Sequence, residues 1–219
     1  SMIVDNITNE IFLFYNFMNH NKEKDVYYLH YLKSSDNGKS WTNPVDITSQ
    51  ITKPEWHNDF KFITSGRGIQ TNSGNLLHCM VNLESSMHVF GSKDHGKTWS
   101  DLQIIWDDEE NTCGHPCAIV EKKSNTIFLL MTHNCGIDHE PQIIDQTSTG
   151  TRTIWVTKSK DDGLTWPKPV EITKTVKLPN WTWYATGPGN GIQLTSGRLI
   201  IPCDHIEAET KKYYSHIIF

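Results

Sequence analysis

The chain has 219 residues, a formal net charge of −5, 37% hydrophobic residues and 21% charged residues, a composition that fits globular material with enough chain to bury a sizeable core. It carries no dense Lys/Arg block to attract nucleic acid or anionic lipid, no apolar run of about eighteen residues to span a membrane, and no charged-then-apolar leader. A small anionic ligand is not excluded, because it needs only a local cationic pocket.

Strand signals follow one another along the chain. Ser1-Met2 reads as a cloning remnant ahead of a domain cut from something longer. "EIFLFYNF", "VYYLHYL", "NLLHCMV", "MHVF", "TIFLLMT", "RTIWVT", "GIQL" and "RLIIP" are short runs rich in Ile, Val, Phe, Tyr and Leu. Gly, Pro, Asn, Asp and Ser bound them, which predicts strands joined by turns and an all-β fold. Helix signals are nearly absent.

An eight-residue frame recurs three times, as "SSDNGKSW" (Ser34 to Trp41), "SKDHGKTW" (Ser92 to Trp99) and "SKDDGLTW" (Ser159 to Trp166). Each copy follows a strand signal and precedes another apolar segment, so each is placed at a hairpin. Asp36, Asp94 and Asp161 are expected to bond following backbone N–H groups, while the Gly supplies a positive φ. Trp41, Trp99 and Trp166 are expected to be buried anchors, with the indole N–H finding a partner at the rim. These six residues are therefore read as structural.

A longer repeat contains the short one. "SSDNGKSWTNPVDIT" (Ser34 to Thr48) matches "SKDDGLTWPKPVEIT" (Ser159 to Thr173), Trp56 matches Trp181, and "GRGIQTNSGNLL" matches "GNGIQLTSGRLI" two residues out of step. The copies are taken as 2–101 and 102–219, each with roughly two four-stranded units that stack radially as a propeller. The second copy has the longer loop, His133 to Arg152. A fourth framed turn is expected after "SHIIF" and does not follow, so the chain reads as a fragment or as one completed by other chains, which makes an oligomer possible.

Five cysteines at irregular spacing, Cys79, Cys113, Cys117, Cys135 and Cys203, do not form a disulfide framework and are read as buried thiols. Cys113, His115 and Cys117 alternate, with His133, Cys135 and His139 nearby in sequence, but they lack the paired spacing of a zinc site. Neither a metal nor a cofactor is expected. "GPGNGIQ" is followed by a strand signal rather than a helix, so nucleotide binding is rejected.

The frame Ser-x-Asp-x-Gly-x-Thr-Trp is the Asp-box, or BNR repeat. With "GHPCAIV", "TIFLLMTHN", "DHE", "PVEIT" and "NWTWYATGPGNGIQLTSGRLIIPCDH", it resembles the sialidases (neuraminidases) over most of the chain, most closely from Cys113 to His205. The resemblance implies a six-bladed β-propeller, of which 1–219 spans about four blades, that cleaves terminal sialic acid of glycoconjugates with retention. It also implies an arginine triad on the substrate carboxylate, an Asp acid/base and a Tyr nucleophile paired with Glu. The family's Tyr-Arg-Ile-Pro segment is absent here, and Arg67, Arg152 and Arg198 match no triad motif. The catalytic residues are therefore unknown, and this chain alone is expected to be inactive.

Four positions do match sites that face substrate in the resembled family. Asp138 and Glu140 lie in the loop "GIDHE", and Asp204 and His205 lie at a strand end in "IPCDH". They are either sugar contacts gathered on one face or a polar loop and a hydrogen-bonded strand end. Two functions follow: a sialidase-like glycoside hydrolase taking sialylated glycans, or a non-catalytic Asp-box propeller binding glycans or protein partners. The substrate class favours an extracellular or periplasmic location, although no residue reports it.

Overall fold

Alternation of apolar and polar residues at period two gives strands such as Glu10–Phe17 a buried face, and in the computed structural model the described strands pair into four antiparallel sheets. The structure describes residues 1–64, 66–83, 86–100, 103–187 and 189–219. The first sheet runs β1 (Met2–Asp5), β2 (Glu10–Phe17), β3 (Tyr28–Ser34) and β4 (Val45–Asp46). A short helix α1 (Thr48–Ile51) and a 3-10 turn (Pro54–Trp56) lead out of it. The second sheet holds β5 (Lys61–Ile63), β6 (Ile69–Gln70), β7 (Leu76–Asn82), β8 (Ser86–Ser92) and β9 (Gln103–Asp107).

The third sheet runs β10 (Thr112–Glu121), β11 (Thr126–Asn134), β12 (Thr153–Ser159) and β13 (Val170–Glu171). Helix α2 (Glu140–Ile144) lies in the β11–β12 loop, and α3 (Thr173–Val176) follows β13. The fourth sheet holds β14 (Trp181–Thr186), β15 (Ile192–Gln193), β16 (Leu199–Glu207) and β17 (Tyr213–Ile218). This is the all-β class expected from the sequence. Among the described residues no helix is long and apolar enough to cross a membrane.

The chain divides into two units, Ser1–Ile105 and Trp106–Phe219. In the first, Phe12, Phe14, Leu29 and Tyr31 meet Ile63, Leu76, Met80 and Phe90 in one core. In the second, Cys117, Ile119, Leu130 and Ile154 meet Tyr184, Ile201 and Cys203. The equivalent "GIQ" segments explain one repeated residue type. A Cβ on Gly68 would lie 2.3 Å from Ile3, and one on Gly191 would lie 2.6 Å from Ile201, so only glycine lets the chain approach so closely at either place.

The three framed turns share one bonding scheme. Asp36 Oδ1 accepts from Ser34 Oγ (2.8 Å) and Ser40 N (2.9 Å), while Gly38 N donates to Ser34 Oγ (2.9 Å). Asp94 accepts likewise from Ser92 Oγ and Thr98 N at 2.8 and 2.9 Å. Asp161 does so from Ser159 Oγ and Thr165 N at 2.7 and 2.9 Å. Positive φ falls on two successive residues in every copy: Asn37 and Gly38, His95 and Gly96, Asp162 and Gly163. Bonds from the Ser or Thr four residues on come first in lowering all three Asp side chains to about 2.

The tryptophans differ, which corrects the expectation that all three are buried. Trp99 is 5% exposed, edge-on to Phe12, Phe14 and Phe90. Trp41 is 38% exposed and Trp166 is half-buried. The cause is position within each unit: Trp99 lies between β8 and β9 of the second sheet and packs on β2 and β3 of the first, whereas Trp41, between β3 and β4, and Trp166, between β12 and β13, belong to the first sheet of their units. The rim partner is also corrected. Trp99 Nε1 has no hydrogen-bond partner among the described residues, while Trp166 Nε1 donates to Gly163 O at 3.1 Å.

Candidate functional site

A side-chain cluster gathers in the second unit where β10 begins, β12 begins, β14 passes and β16 ends. Its centre is Arg152, the residue before β12, which is 2% exposed. The guanidinium carbon lies 3.8 Å from the centroid of the Trp183 ring on β14. Nη2 reaches His115 Nδ1 at 2.9 Å, whereas Nε and Nη1 are buried with no hydrogen-bond partner among the described residues. Burial pushes the Arg152 pKa down to about 9, and the carboxylates of Glu140 and Asp204 oppose that shift. Among the described residues no carboxylate forms a direct ion pair with Arg152, so both acids act on it across a gap.

His115 sits in this cluster because its strand is broken there. The β10–β11 register shifts between Gly114 and Cys117, and His115 has φ 51°, a left-handed value that is uncommon for a non-glycine residue. Thr186 Oγ1 donates to the His115 carbonyl and Thr132 Oγ1 lies 3.3 Å from His115 Nδ1, which together hold the bulge. His115 as a residue is exposed, while its Nδ1 is engaged by the buried Arg152. Desolvation, then the Arg152 charge, push its pKa down to about 3.

Lys177 braces the floor. Its ammonium donates to Thr151 Oγ1 (2.6 Å), Arg152 O (2.7 Å) and Thr182 O (2.8 Å), tying the end of the long loop to β14. Burial first, and then Arg152, lower its pKa to about 7. Beside it a cleft of about 570 Å³ is lined by Ile143, Ser148, Thr151, Lys177, Trp181 and Thr182, among others.

Of the four sequence-predicted contacts only Glu140 and Asp204 act on one another, while Asp138 and His205 lie apart from them. Glu140 is exposed at the start of α2 and acts, with Arg152, on the half-buried Asp204, whose carboxyl burial pushes up. Asp138 instead points into its own loop, accepting from Thr149 N at 2.9 Å and Gly150 N at 3.2 Å, and is 6% exposed. His205 alternates to the other side of β16 from Asp204. There it stacks on Trp181 with centroids 3.5 Å apart, and its Nδ1 meets His216 Nδ1 at 3.0 Å. The site thus joins Glu140 and Asp204, with Asp138 as the loop's anchor and His205 in a neighbouring aromatic cluster.

Arg152, His115, Trp183 and Lys177 were not singled out as site residues by the sequence. "GHP" inside a strand signal was the available clue to a bulge, because Pro has no N–H to give the ladder. Among the described residues no group of His, Cys, Asp and Glu is placed to hold a metal ion. His133 pairs with Asp108 at 2.8 Å and stacks on Trp106, and no disulfide joins the cysteines. Arg198 is exposed beside Phe219.

A family model described as BNR repeat-like domain matches residues 1–109 and 86–219. An exo-alpha-sialidase of Aspergillus fumigatus is 40% identical over 115 residues, which is 48% of this chain and 28% of that protein. A sialidase of Bacteroides fragilis is 30% identical over 165 residues, 64% of this chain and 30% of that protein. The chain thus spans about three tenths of the curated relatives it matches. Among solved structures, the Hadza microbial sialidase Hz136 aligns with a TM-score of 0.64 at 21% identity, covering 89% of this chain and 43% of that one. A polysaccharide lyase, PL25 ulvan lyase, aligns with a TM-score of 0.61 at 12% identity over 99% of this chain and 54% of that one. At these identities the likeness is one of fold.

Proposed function

The chain belongs to the BNR repeat-like domain family, and on that premise we propose that it supplies the sugar-contacting part of a sialidase-type glycoside hydrolase acting on terminal sialic acids of glycoconjugates with retention. The observation that carries this reading is the Arg152–Glu140–Asp204 cluster on a chain similar to exo-alpha-sialidases. Two carboxylates offer acceptors to the hydroxyls of a sugar. The enclosed guanidinium offsets their charge, which would otherwise repel a substrate that carries its own carboxylate. Lys177 and Asp138 contribute by position, holding the loop that presents Glu140. The 1–219 chain is proposed as one stretch of a β-propeller with repeats 2–101 and 102–219.

Sialidases use Tyr rather than a second carboxylate as nucleophile. Tyr184 is not offered for that role, since burial raises its pKa and His216 Nε2 engages its hydroxyl at 2.9 Å. The nucleophile and a full arginine clamp are not assigned to residues of this chain. That favours, as a second reading, glycan binding without bond cleavage by these residues alone. A fluorogenic sialoside assay separates the two. Turnover that Glu140→Gln lowers at least tenfold supports the hydrolase, while binding of sialyllactose without turnover supports the second reading.

A further inference from the structure

One group in the cluster is unused by that reading: the outward nitrogen of His115. Arg152 Nη2 carries only donors, so the His115 Nδ1 that it meets at 2.9 Å accepts and bears no proton. The proton of the neutral ring then resides on Nε2. Among the described residues Nε2 has no hydrogen-bond partner, and His115 as a residue is exposed. The left-handed backbone of His115 and the bulge at Gly114–Cys117 aim this ring out of the ladder, a conformation that costs energy and is held by Thr186 and Thr132.

We propose that His115 is a ligand-contacting residue whose Nε2–H, fixed in that tautomer by Arg152, donates a hydrogen bond to a hydroxyl oxygen of a sugar held at this site. The charge pattern selects a hydroxyl over a carboxylate. The one cation that His115 touches, Arg152, already has the carboxylates of Glu140 and Asp204 acting on it, so an anionic oxygen would compete with them for a single guanidinium, whereas a neutral hydroxyl needs no counter-charge and accepts from Nε2–H. Trp183, edge-on to His115 with centroids 5.9 Å apart and stacked on Arg152, keeps the ring and guanidinium in register. The identity of the ligand as a sugar rests on the proposed function; the tautomer does not.

The test is long-range proton–nitrogen correlation NMR on the uniformly nitrogen-15-labelled 219-residue chain at pH 7, with His115 assigned by its loss in His115→Gln. The expected result is a protonated Nε2 and a bare Nδ1 in the free protein, and movement of the Nε2 resonance on addition of N-acetylneuraminic acid. Binding of that sugar is expected to weaken roughly three- to tenfold in His115→Leu and to return to within about twofold in His115→Gln, whose amide N–H stands near the place of Nε2. A proton on Nδ1, an Nε2 resonance unmoved by the sugar, or unchanged binding by His115→Leu would each overturn the proposal. The wild-type spectrum decides the tautomer even where a variant fails to fold. Hydrolysis and its loss in Glu140→Gln are read separately, so failure of the hydrolase reading leaves a distinct signature.

Discussion

The Arg152 guanidinium stacks on the Trp183 ring, 3.8 Å from its centroid, while two of its three nitrogens have no hydrogen-bond partner among the described residues. The ring therefore supplies much of the attraction that holds a buried charge in place. Trp183→Leu is expected to cost about 2 kcal/mol, the range of a desolvated cation–π contact. Arg152→Lys is expected to be comparably destabilising, because an ammonium has no plane to stack and does not reproduce the reach to His115. Urea denaturation of the two variants checks this, and a Trp183→Leu stability equal to wild type overturns it.

Unequal burial of the framed tryptophans gives a second prediction. Trp99→Ala is expected to cost about 3–5 kcal/mol, since it empties a site walled by Phe12, Phe14, Tyr31 and Phe90. Trp41→Ala is expected to cost less than about 1 kcal/mol in the same chain, because much of that ring already faces solvent. Thermal melts of both variants give the comparison.

Asp138 is expected to act on the site through the loop. Asp138→Ala removes the acceptor of the Thr149 and Gly150 amides and is expected to cost about 1–3 kcal/mol. Hydrogen exchange at those two amides should accelerate, and sugar binding should weaken although Asp138 itself is buried in its own loop. Unaltered exchange would show that the loop is held by other bonds.

Acid should destabilise the first unit through His78. Burial, and then the N-terminal charge, push its pKa from 6.5 down to about 3. Below pH 6.5 the unfolded chain binds a proton that the folded chain does not, so stability falls as pH falls through that window, by about 2 kcal/mol at pH 5. Asp5, lowered to about 2 despite burial by bonds from Ile7, Gln70, His95 and Thr8, adds its loss only below pH 4. Urea midpoints at pH 7.5 and 5.0 measure the first step, which should shrink in His78→Phe.

Much of the fold was legible because its signals are local. Period-two alternation in "EIFLFYNF" suffices to bury Phe12 and Phe14, and the Asp-box specifies its turn through residues within four positions of one another. Glu140 and Asp204 were nominated on the strength of a family resemblance rather than of spacing. What the residues alone did not carry was distance. Whether a framed Trp is buried depends on which sheet of its unit carries the turn, so two copies of one frame leave Trp99 enclosed and Trp41 exposed. The side a residue faces turned on one position of strand alternation, which separates His205 from Asp204.

Arg152 shows the same division most plainly. In the sequence it is one arginine before a strand, matching no motif. Only the tertiary structure decides its role, by bringing His115 from 37 positions away, Trp183 from the next sheet and two acids from a helix and a strand end around one guanidinium. Such an environment is a property of long-range packing, in which burial, charge and bond direction are set by residues that share no local pattern. The sequence by itself determined strands, turns and the repeat, because those depend on near neighbours; the fold determined the chemistry.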